Sequence, residues 1–460
     1  MVVVLAALAL LMVLSYRGYS PILVAPFVAM LAVAFTDVTM VFPAFTGLFM
    51  ERFASFMKLY FPVILLGAAF GRLLEISGMV ATIAERVERA ANIPGAIAGV
   101  VLLTALLTYG GVSVFVVAFA TFPFGALLFR KLEIPKRLLP AMVLLGGGSF
   151  AMTTMPGSPQ LPNIIPIGTF GTTSWAAPVL GLIASAAILG GGLLYLIFRA
   201  GQLRSRGEGY GSNMHNEPEQ GVPPLRSLAL AIAPLAVVFI GNLAFMRMVL
   251  VDYGKTTMLV LPGLTQPVTV AADRVEASWA ICAALILGCI SICLLDGGRS
   301  IRVLRENVKN VVSGALVSSA AIASMFGFGA TLAALPGFLQ IKAGLSHIHD
   351  PLLNAVASTS VIAAMAGSAA GGVNITLDTF GPQLLAHATD AGIPAEVLHR
   401  LVAAAAGSFD TMPHNGMMIS FMLVCGMSHR ESYADMFGLT LIKSAVAFAL
   451  VPLFYWTGWV

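Results

Sequence analysis

The chain has 460 residues, 58% of them apolar and only 10% charged, with a formal net charge of +4 and a mean hydropathy of +0.92. Soluble domains carry roughly 25% charged residues. This much apolar surface therefore calls for a lipid bilayer as solvent, and so small a positive balance excludes nucleic acid as a partner. Cys282, Cys289 and Cys293 recur along one apolar stretch and Cys425 stands alone, which is neither a disulfide framework nor a metal-ligand spacing, so no metal and no cofactor is expected.

Residues 2–14 are apolar, with no basic flank before them and no small-residue cleavage pattern after them. They read as a retained first span. With that one, the stretches able to cross a bilayer, or nearly so, fall at about 2–15, 21–36, 57–76, 175–198, 227–250, 278–295, 311–335 and 437–458. Residues 95–168 and 351–426 are apolar but repeatedly broken by Gly, Pro and hydroxyl residues. Each has room for a re-entrant helical hairpin and one interrupted spanning helix, which gives five crossings per half and ten in all. The polar stretch from Arg199 to Arg226 separates the halves, so residues 1–200 form a first unit, 201–226 a linker and 227–460 a second unit.

The basic residues orient this plan. With both termini outside, sixteen fall on the cytoplasmic side: Arg17, Arg86, Arg89, Arg130, Lys131, Lys136, Arg137, Arg199, Arg204, Arg206, Arg226, Arg299, Arg302, Arg305, Lys309 and Arg430. Seven fall outside: Arg52, Lys58, Arg247, Lys255, Arg274, Lys342 and Arg400. That is the direction of the positive-inside bias, here for a bacterial inner membrane. Arg72 and Glu75 read as a local interfacial pair.

The halves resemble each other in order. Glu51 pairs with Glu306, Gly110–Ser113 with Gly371–Asn374, and Thr154-Met155-Pro156 with Thr411-Met412-Pro413, at offsets of 255, 261 and 257 residues. Five crossings is an odd number, so the second half enters the bilayer inverted, and one hairpin enters from each face. Inverted repeats build two related gates around one midplane site.

A bare backbone group in lipid costs several kcal/mol, roughly, so helix breaks are tolerated where they line protein or a cavity. Four breaks therefore mark the candidate site. The first is the hairpin tip with Gly110, Gly111 and Ser113, whose following helix N-terminus suits a carboxylate. The second holds Thr153, Thr154, Pro156, Gly157, Ser158, Gln160 and Asn163. Three prolines and a glycine there cannot stay helical. The third is the second tip, with Ser368, Gly371, Gly372 and Asn374, and the fourth holds Thr411, Pro413 and Asn415. The alternative is a set of packed kinks without a ligand.

Asp410 and His414 lie four apart in the last break and Asp378 follows the second tip. Intramembrane ionisable groups are functional candidates by default, and these could carry a coupled proton. The competing reading is structural, with Asp410 capping a half-helix and His414 bonded to a loop carbonyl. His387 and His399 are expected near the external interface. No Arg or Lys occurs within any of the four breaks. Helix ends, hydroxyls and amides suit a monocarboxylate carrying several OH groups. A cation/proton antiporter using Asp410 and Asp378 is the alternative. No nucleophile elbow or paired base points to an enzyme.

At YRGYS, KLYFPVILLGAAFG, LTYGGVSVFVVAFA, TMPGSPQLPNIIPIGTFGTTSWAAPVLG and GSFDTMPHNG, the chain resembles the gluconate permease (GntP) family, nearly end to end. That resemblance implies proton symport of gluconate or a related hydroxy acid such as 3-hydroxybutyrate, and the elevator-type ion transporter superfamily fold. It also implies a homodimer with scaffold at roughly 1–76 and 227–335, the hairpins and broken helices moving against it. Sodium-coupled relatives carry Ser-Asn-Thr at both tips. Here the matching positions read Gly111-Val112-Ser113 and Gly372-Val373-Asn374, a departure that favours protons.

Overall fold

The computed structural model describes residues 1–90, 92–212, 215–218, 227–254, 256–263 and 266–460. Residues 219–226 of the expected linker, with Arg226, and Lys255 in the external set lie outside the described residues. The chain is a nearly all-helical, multi-pass membrane protein. Seven described helices are long and apolar enough to cross a bilayer by length and composition.

The first half opens with α1 (Val2–Tyr16) and α2 (Pro21–Ala34), then α3 (Val41–Ala44) and α4 (Glu51–Ile76). At 15 and 14 residues, α1 and α2 would each span about 22 Å of a core of about 30 Å. A π-helical stretch, Phe45–Met50, joins α3 to α4, so helix runs unbroken over Val38–Ile76. The apolar reading began this span at 57. Glu51, Arg52 and Lys58 lower the hydropathy of the preceding turns without interrupting the helix. Next come α5 (Met79–Ala90), α6 (Ile93–Tyr109), α7 (Val114–Lys131), α8 (Leu139–Gly147), α9 (Phe150–Thr153), α10 (Leu161–Phe170) and α11 (Pro178–Ser205).

The second half begins with α12 (Leu228–Tyr253) and α13 (Ala272–Leu295). Between them, Thr257–Leu259 and Val268–Val270 pair as an antiparallel β-ribbon. Then follow α14 (Arg299–Ala333), α15 (Pro336–Leu345), α16 (Pro351–Ala366), α17 (Ala369–Asp390), α18 (Ala395–Ala406), α19 (Gly416–Cys425) and α20 (His429–Thr457). The α16, α17, α19 and α20 helices begin 258, 255, 255 and 251 residues after α6, α7, α10 and α11.

Corresponding helices run in opposite directions. At one face, the Val179 N–H near the start of α11 donates to the Val460 carbonyl just past α20, at 3.3 Å. At the other, Arg199 late in α11 bonds Asp435 early in α20, Nε to Oδ1 at 2.7 Å. Arg137, just before α8, reaches the same carboxylate at 3.1 Å. His399, early in α18, instead meets Thr172, just past α10, at 2.6 Å. So α8 and α18 start on opposite faces.

Two packing groups emerge. Helices α2, α4, α12, α13 and α14 pack on one another, and the hairpins α6–α7 and α16–α17 pack with α8–α11 and α18–α20. The groups meet where α7 lies along α4 and α19 along α14. Gly71 makes that approach possible, because a Cβ there would collide with the Phe119 carbonyl. Phe56, Ile64 and Ala68 of α4 and Ala315, Ile322 and Ala323 of α14 fill a separate apolar seam beside it.

Candidate functional site

The first hairpin turns at Gly110–Ser113, between α6 and α7. Gly111 takes a φ of +85°, a conformation that costs glycine little. The tip is held from outside the hairpin: Asn242 Nδ2 of α12 donates to the Gly110 carbonyl at 2.7 Å. Gln160 Nε2 donates to the Thr108 carbonyl at 2.7 Å and the Val112 carbonyl at 3.2 Å. Tyr109 returns a bond from its hydroxyl to the Pro156 carbonyl at 3.0 Å. The tip and the first broken helix thus form one hydrogen-bonded unit.

Within that break the freed groups are met by protein. Ser158 Oγ donates to the Ala151 carbonyl at 2.7 Å, and Asn163 Nδ2 to the Ser158 and Ser174 carbonyls at 2.8 and 2.9 Å. Thr154 and Ser185 hydroxyls share a bond of 2.9 Å, and Thr153 back-bonds to Ser149. Gly157 turns with a φ of +77°.

The strongest element of this break comes from the other half of the chain. Arg400 of α18 was expected in an external segment, but it is fully buried. Its Nε and Nη2 donate to the Ala176 carbonyl at 3.0 and 2.6 Å. Its Nη1 donates to the Thr154 carbonyl at 3.2 Å and Asn163 Oδ1 at 2.9 Å, and Nη2 to the Ser174 carbonyl at 3.3 Å. Every acceptor is neutral. His399 is buried, with Nε2 3.3 Å from Asn163 Oδ1, and His387 is exposed on α17.

The second hairpin turns earlier than the glycine pair suggested. Its reversal is Gly367–Ser368, with Gly367 left-handed at φ +58° and Ser368 capping α17 by accepting from the Gly371 N–H at 3.2 Å. Gly371, Gly372 and Asn374 lie in the first turns of α17. Gly372 is there for packing: a Cβ would meet Ala363 of the sister arm at 2.5 Å. The matching N-caps are therefore Ser113 and Ser368, 255 residues apart, in place of the 261-residue alignment. Asn374 and Asp378 are exposed on α17, away from the buried break.

The second broken helix repeats the first in backbone but not in chemistry. Thr411 and Thr440 hydroxyls bond as Thr154 and Ser185 do. Asn415 caps α19, its Oδ1 accepting from Met417 and Met418 N–H at 2.6 and 3.1 Å, and its Nδ2 donates to the Asp410 carbonyl. Tyr433 donates to the Thr411 carbonyl at 3.0 Å, and His429 Nε2 lies 2.7 Å from the Pro413 carbonyl. Asp410 is fully buried; one oxygen accepts from Lys443 Nζ of α20 at 3.2 Å and the other has no partner. Buried His414 turns its ring to the backbone of Ala364 and Met365 at the end of α16, with no well-formed hydrogen bond at either nitrogen. The His414 ring lies against the second tip, where a Cβ on Gly367 would sit 3.0 Å from its Cδ2.

The two broken helices cross in contact. A Cβ on Gly407 would lie 2.8 Å from Thr153 Cγ2, and one on Gly148 2.7 Å from Met417 Sδ. Thr153 and Gly407 meet at this crossing, which the structure holds closed, and Thr154, Asp410, Thr411 and His414 are all buried in the two breaks. The open space nearby lies toward the basic face. It is a cleft of about 370 Å³ between α4 and α14 on one side and α7 and α19 on the other, with Asn216 and Glu217 at its rim.

Two functional candidates escaped the sequence reading. Lys443 is midway along a predicted apolar span and Arg400 near the start of a short amphipathic helix. A lone lysine inside a span is itself a signal, while nothing local to Arg400 says which carbonyls it reaches. Among the described residues no group of three or more His, Cys, Asp or Glu could hold a metal ion.

No protein-family model matches the chain. A search of solved structures finds the YdaH transporter of Alcanivorax borkumensis, whose crystal structure is described as having an unusual topology, at 16% identity and a TM-score of 0.44, covering 89% of this chain and 88% of that one. Among curated proteins the chain is 40% identical over 469 residues to the uncharacterized transporter YxjC of Bacillus subtilis (strain 168), covering 100% of this chain and 99% of that one. Long apolar helices, two interrupted helices crossing at mid-length, and end-to-end similarity to YxjC agree: this chain belongs to the YxjC family of membrane transporters.

Proposed function

We propose that the chain is a proton-driven carrier of a small hydroxy-monocarboxylate, of the gluconate permease type, with gluconate and 3-hydroxybutyrate as the leading substrates. The observation that carries this reading is Asp410. A carboxylate fully removed from water, with one oxygen unpaired, lies in the second broken helix. Its other oxygen is paired with Lys443, so a proton and the ammonium compete for one carboxylate.

The reading places the protein in a bacterial inner membrane with both termini outside, the charge bias of the loops supporting that orientation. The hairpins and broken helices form a moving unit against a scaffold at roughly 1–76 and 227–335, in a homodimer. The cleft between α4 and α14 and α7 and α19 supports a seam there. Among the expected binding groups, Gln160, Ser158 and Asn163 hold the first break together, so substrate contacts fall to the helix N-termini at Ser113 and Ser368 and to the second break.

Uptake of radiolabelled gluconate or 3-hydroxybutyrate into proteoliposomes under an imposed pH gradient tests this. Asp410→Asn is expected to abolish accumulation while leaving exchange measurable. Unchanged accumulation in that variant would remove Asp410 as the coupling group. A cation/proton antiporter is the second reading, favoured by a buried Asp–Lys pair that a metal cation could displace. Sodium-dependent proton flux without uptake of any hydroxy acid would select it.

A further inference from the structure

Lys443 is the fifteenth of the 29 residues of α20, the depth at which a charge is farthest from both faces of the bilayer. Its side chain is 2% exposed, and its ammonium lies 3.2 Å from Asp410 Oδ1. An ammonium has three donors. The structure shows one of them used, and the carboxylate opposite keeps an oxygen without a partner. A charge so placed is strongly disfavoured unless an opposite charge accompanies it.

The other charged or titratable groups on neighbouring elements are engaged elsewhere. Arg400 and His399 of α18 serve the first break, Tyr433 bonds the Thr411 carbonyl, and Asp435 lies between Arg137 and Arg199 at the basic end. Tyr195 of α11 packs at Gly438 toward that same end. His414 faces the second tip.

We propose that Lys443 is the counter-ion of the substrate carboxylate, and that Asp410 takes the substrate's place in the empty carrier. This rests on the proton–carboxylate symport reading above. The charges then dictate the coupling. Empty, the pair is Asp410⁻ with Lys443⁺ and sums to zero. Loaded, a proton from the water phase sits on the Asp410 carboxyl, the substrate carboxylate faces Lys443⁺, and the sum is again zero. Substrate without the proton leaves an extra negative charge, and the proton without substrate leaves Lys443⁺ alone. Both are disfavoured in a low-dielectric interior. Arg400 carries the same charge in every state, so it does not alter the comparison. One proton moves with each monocarboxylate, no covalent bond changes, and the cycle is electroneutral.

Three measurements in proteoliposomes test this with radiolabelled gluconate and 3-hydroxybutyrate. Lys443→Gln is expected to lose both accumulation and substrate exchange at least tenfold, whereas Asp410→Asn keeps exchange. Because Lys443→Gln strands Asp410, the double variant D410N/K443Q removes both charges and is expected to be folded yet without exchange. Wild-type uptake driven by a pH gradient is expected to keep its initial rate when a potassium diffusion potential is imposed. Exchange at the wild-type rate in either lysine variant would overturn the proposal, as would uptake that rises with membrane potential. Failure of the wild-type protein to move either acid would instead overturn the symport reading itself.

Discussion

In the first broken helix the carbonyls freed between α9 and α10 are met by Arg400, Asn163 and Tyr109, and its side-chain hydroxyls are bonded. In the second, an aspartate oxygen is buried without a partner and a buried histidine has no well-formed hydrogen bond, only the backbone of Ala364 and Met365 beside its ring. The backbones are alike down to the paired hydroxyls at Thr154–Ser185 and Thr411–Thr440. What differs is satisfaction. A fully bonded polar network fixes one arrangement, whereas unpaired buried groups make the empty arrangement costly and favour whatever supplies their partners. The repeat therefore builds one static half-site and one responsive half-site from the same fold.

Removing the clamp is the severest way to break that contrast. Arg400→Leu strips the bonds to the Thr154 and Ala176 carbonyls and leaves a hole in a fully buried position. Each buried carbonyl left without its donor costs roughly 1–3 kcal/mol. The expected outcome is a large fall in detergent-solubilised folded protein and in melting temperature, with transport lost as a consequence. Arg400→Lys keeps the charge but cannot reproduce the forked donors, so it is expected to recover only part of the stability. Wild-type melting in both variants would show that the first break does not depend on this residue.

The opposite sign is expected at His414. Replacing an unsatisfied buried polar group with an apolar one of similar size is near neutral or stabilising, by about 1 kcal/mol. His414→Leu should therefore melt at or slightly above the wild-type temperature while transport falls about tenfold. A melting temperature that drops as it does for Arg400→Leu would mean that His414 is structural, and the contrast between the breaks would lose its second leg.

How much of this was visible in the sequence divides along physical lines. The helices followed from lipid: continuous apolar runs had to be helical, and Pro and Gly marked where they broke. Charged turns hid the true helix ends, as with Arg299–Lys309 at the start of α14 and Glu51–Lys58 at the start of α4, because hydropathy marks immersion and not helicity. At the second hairpin a glycine pair looked like a turn. The reversal instead uses Gly367, and Gly372 serves contact with Ala363. Contacts between halves were the least legible. Arg400 reaches residues 224–246 positions away in sequence, and no local pattern encodes its acceptors. The breaks themselves contain no Arg or Lys, but α18 and α20 each bring one against them from elsewhere in the chain.

Asp378 gives the mildest test, and it separates burial from mere membership of an apolar segment. It was grouped with Asp410 because both are acidic and both lie near a break. In the fold it is on the exposed side of α17, while Asp410 is at 0% exposure beside Lys443. The coupling proposed above runs through the buried Asp410–Lys443 pair and gives an exposed side chain on α17 no part. Asp378→Asn is therefore expected to keep proton-driven accumulation within about twofold of wild type, a surface-sized effect, measured in the same vesicles in which Asp410→Asn abolishes it. A loss as large as that of Asp410→Asn would mean that the exposed face of α17 closes onto the crossing during transport, and that both carboxylates share the proton.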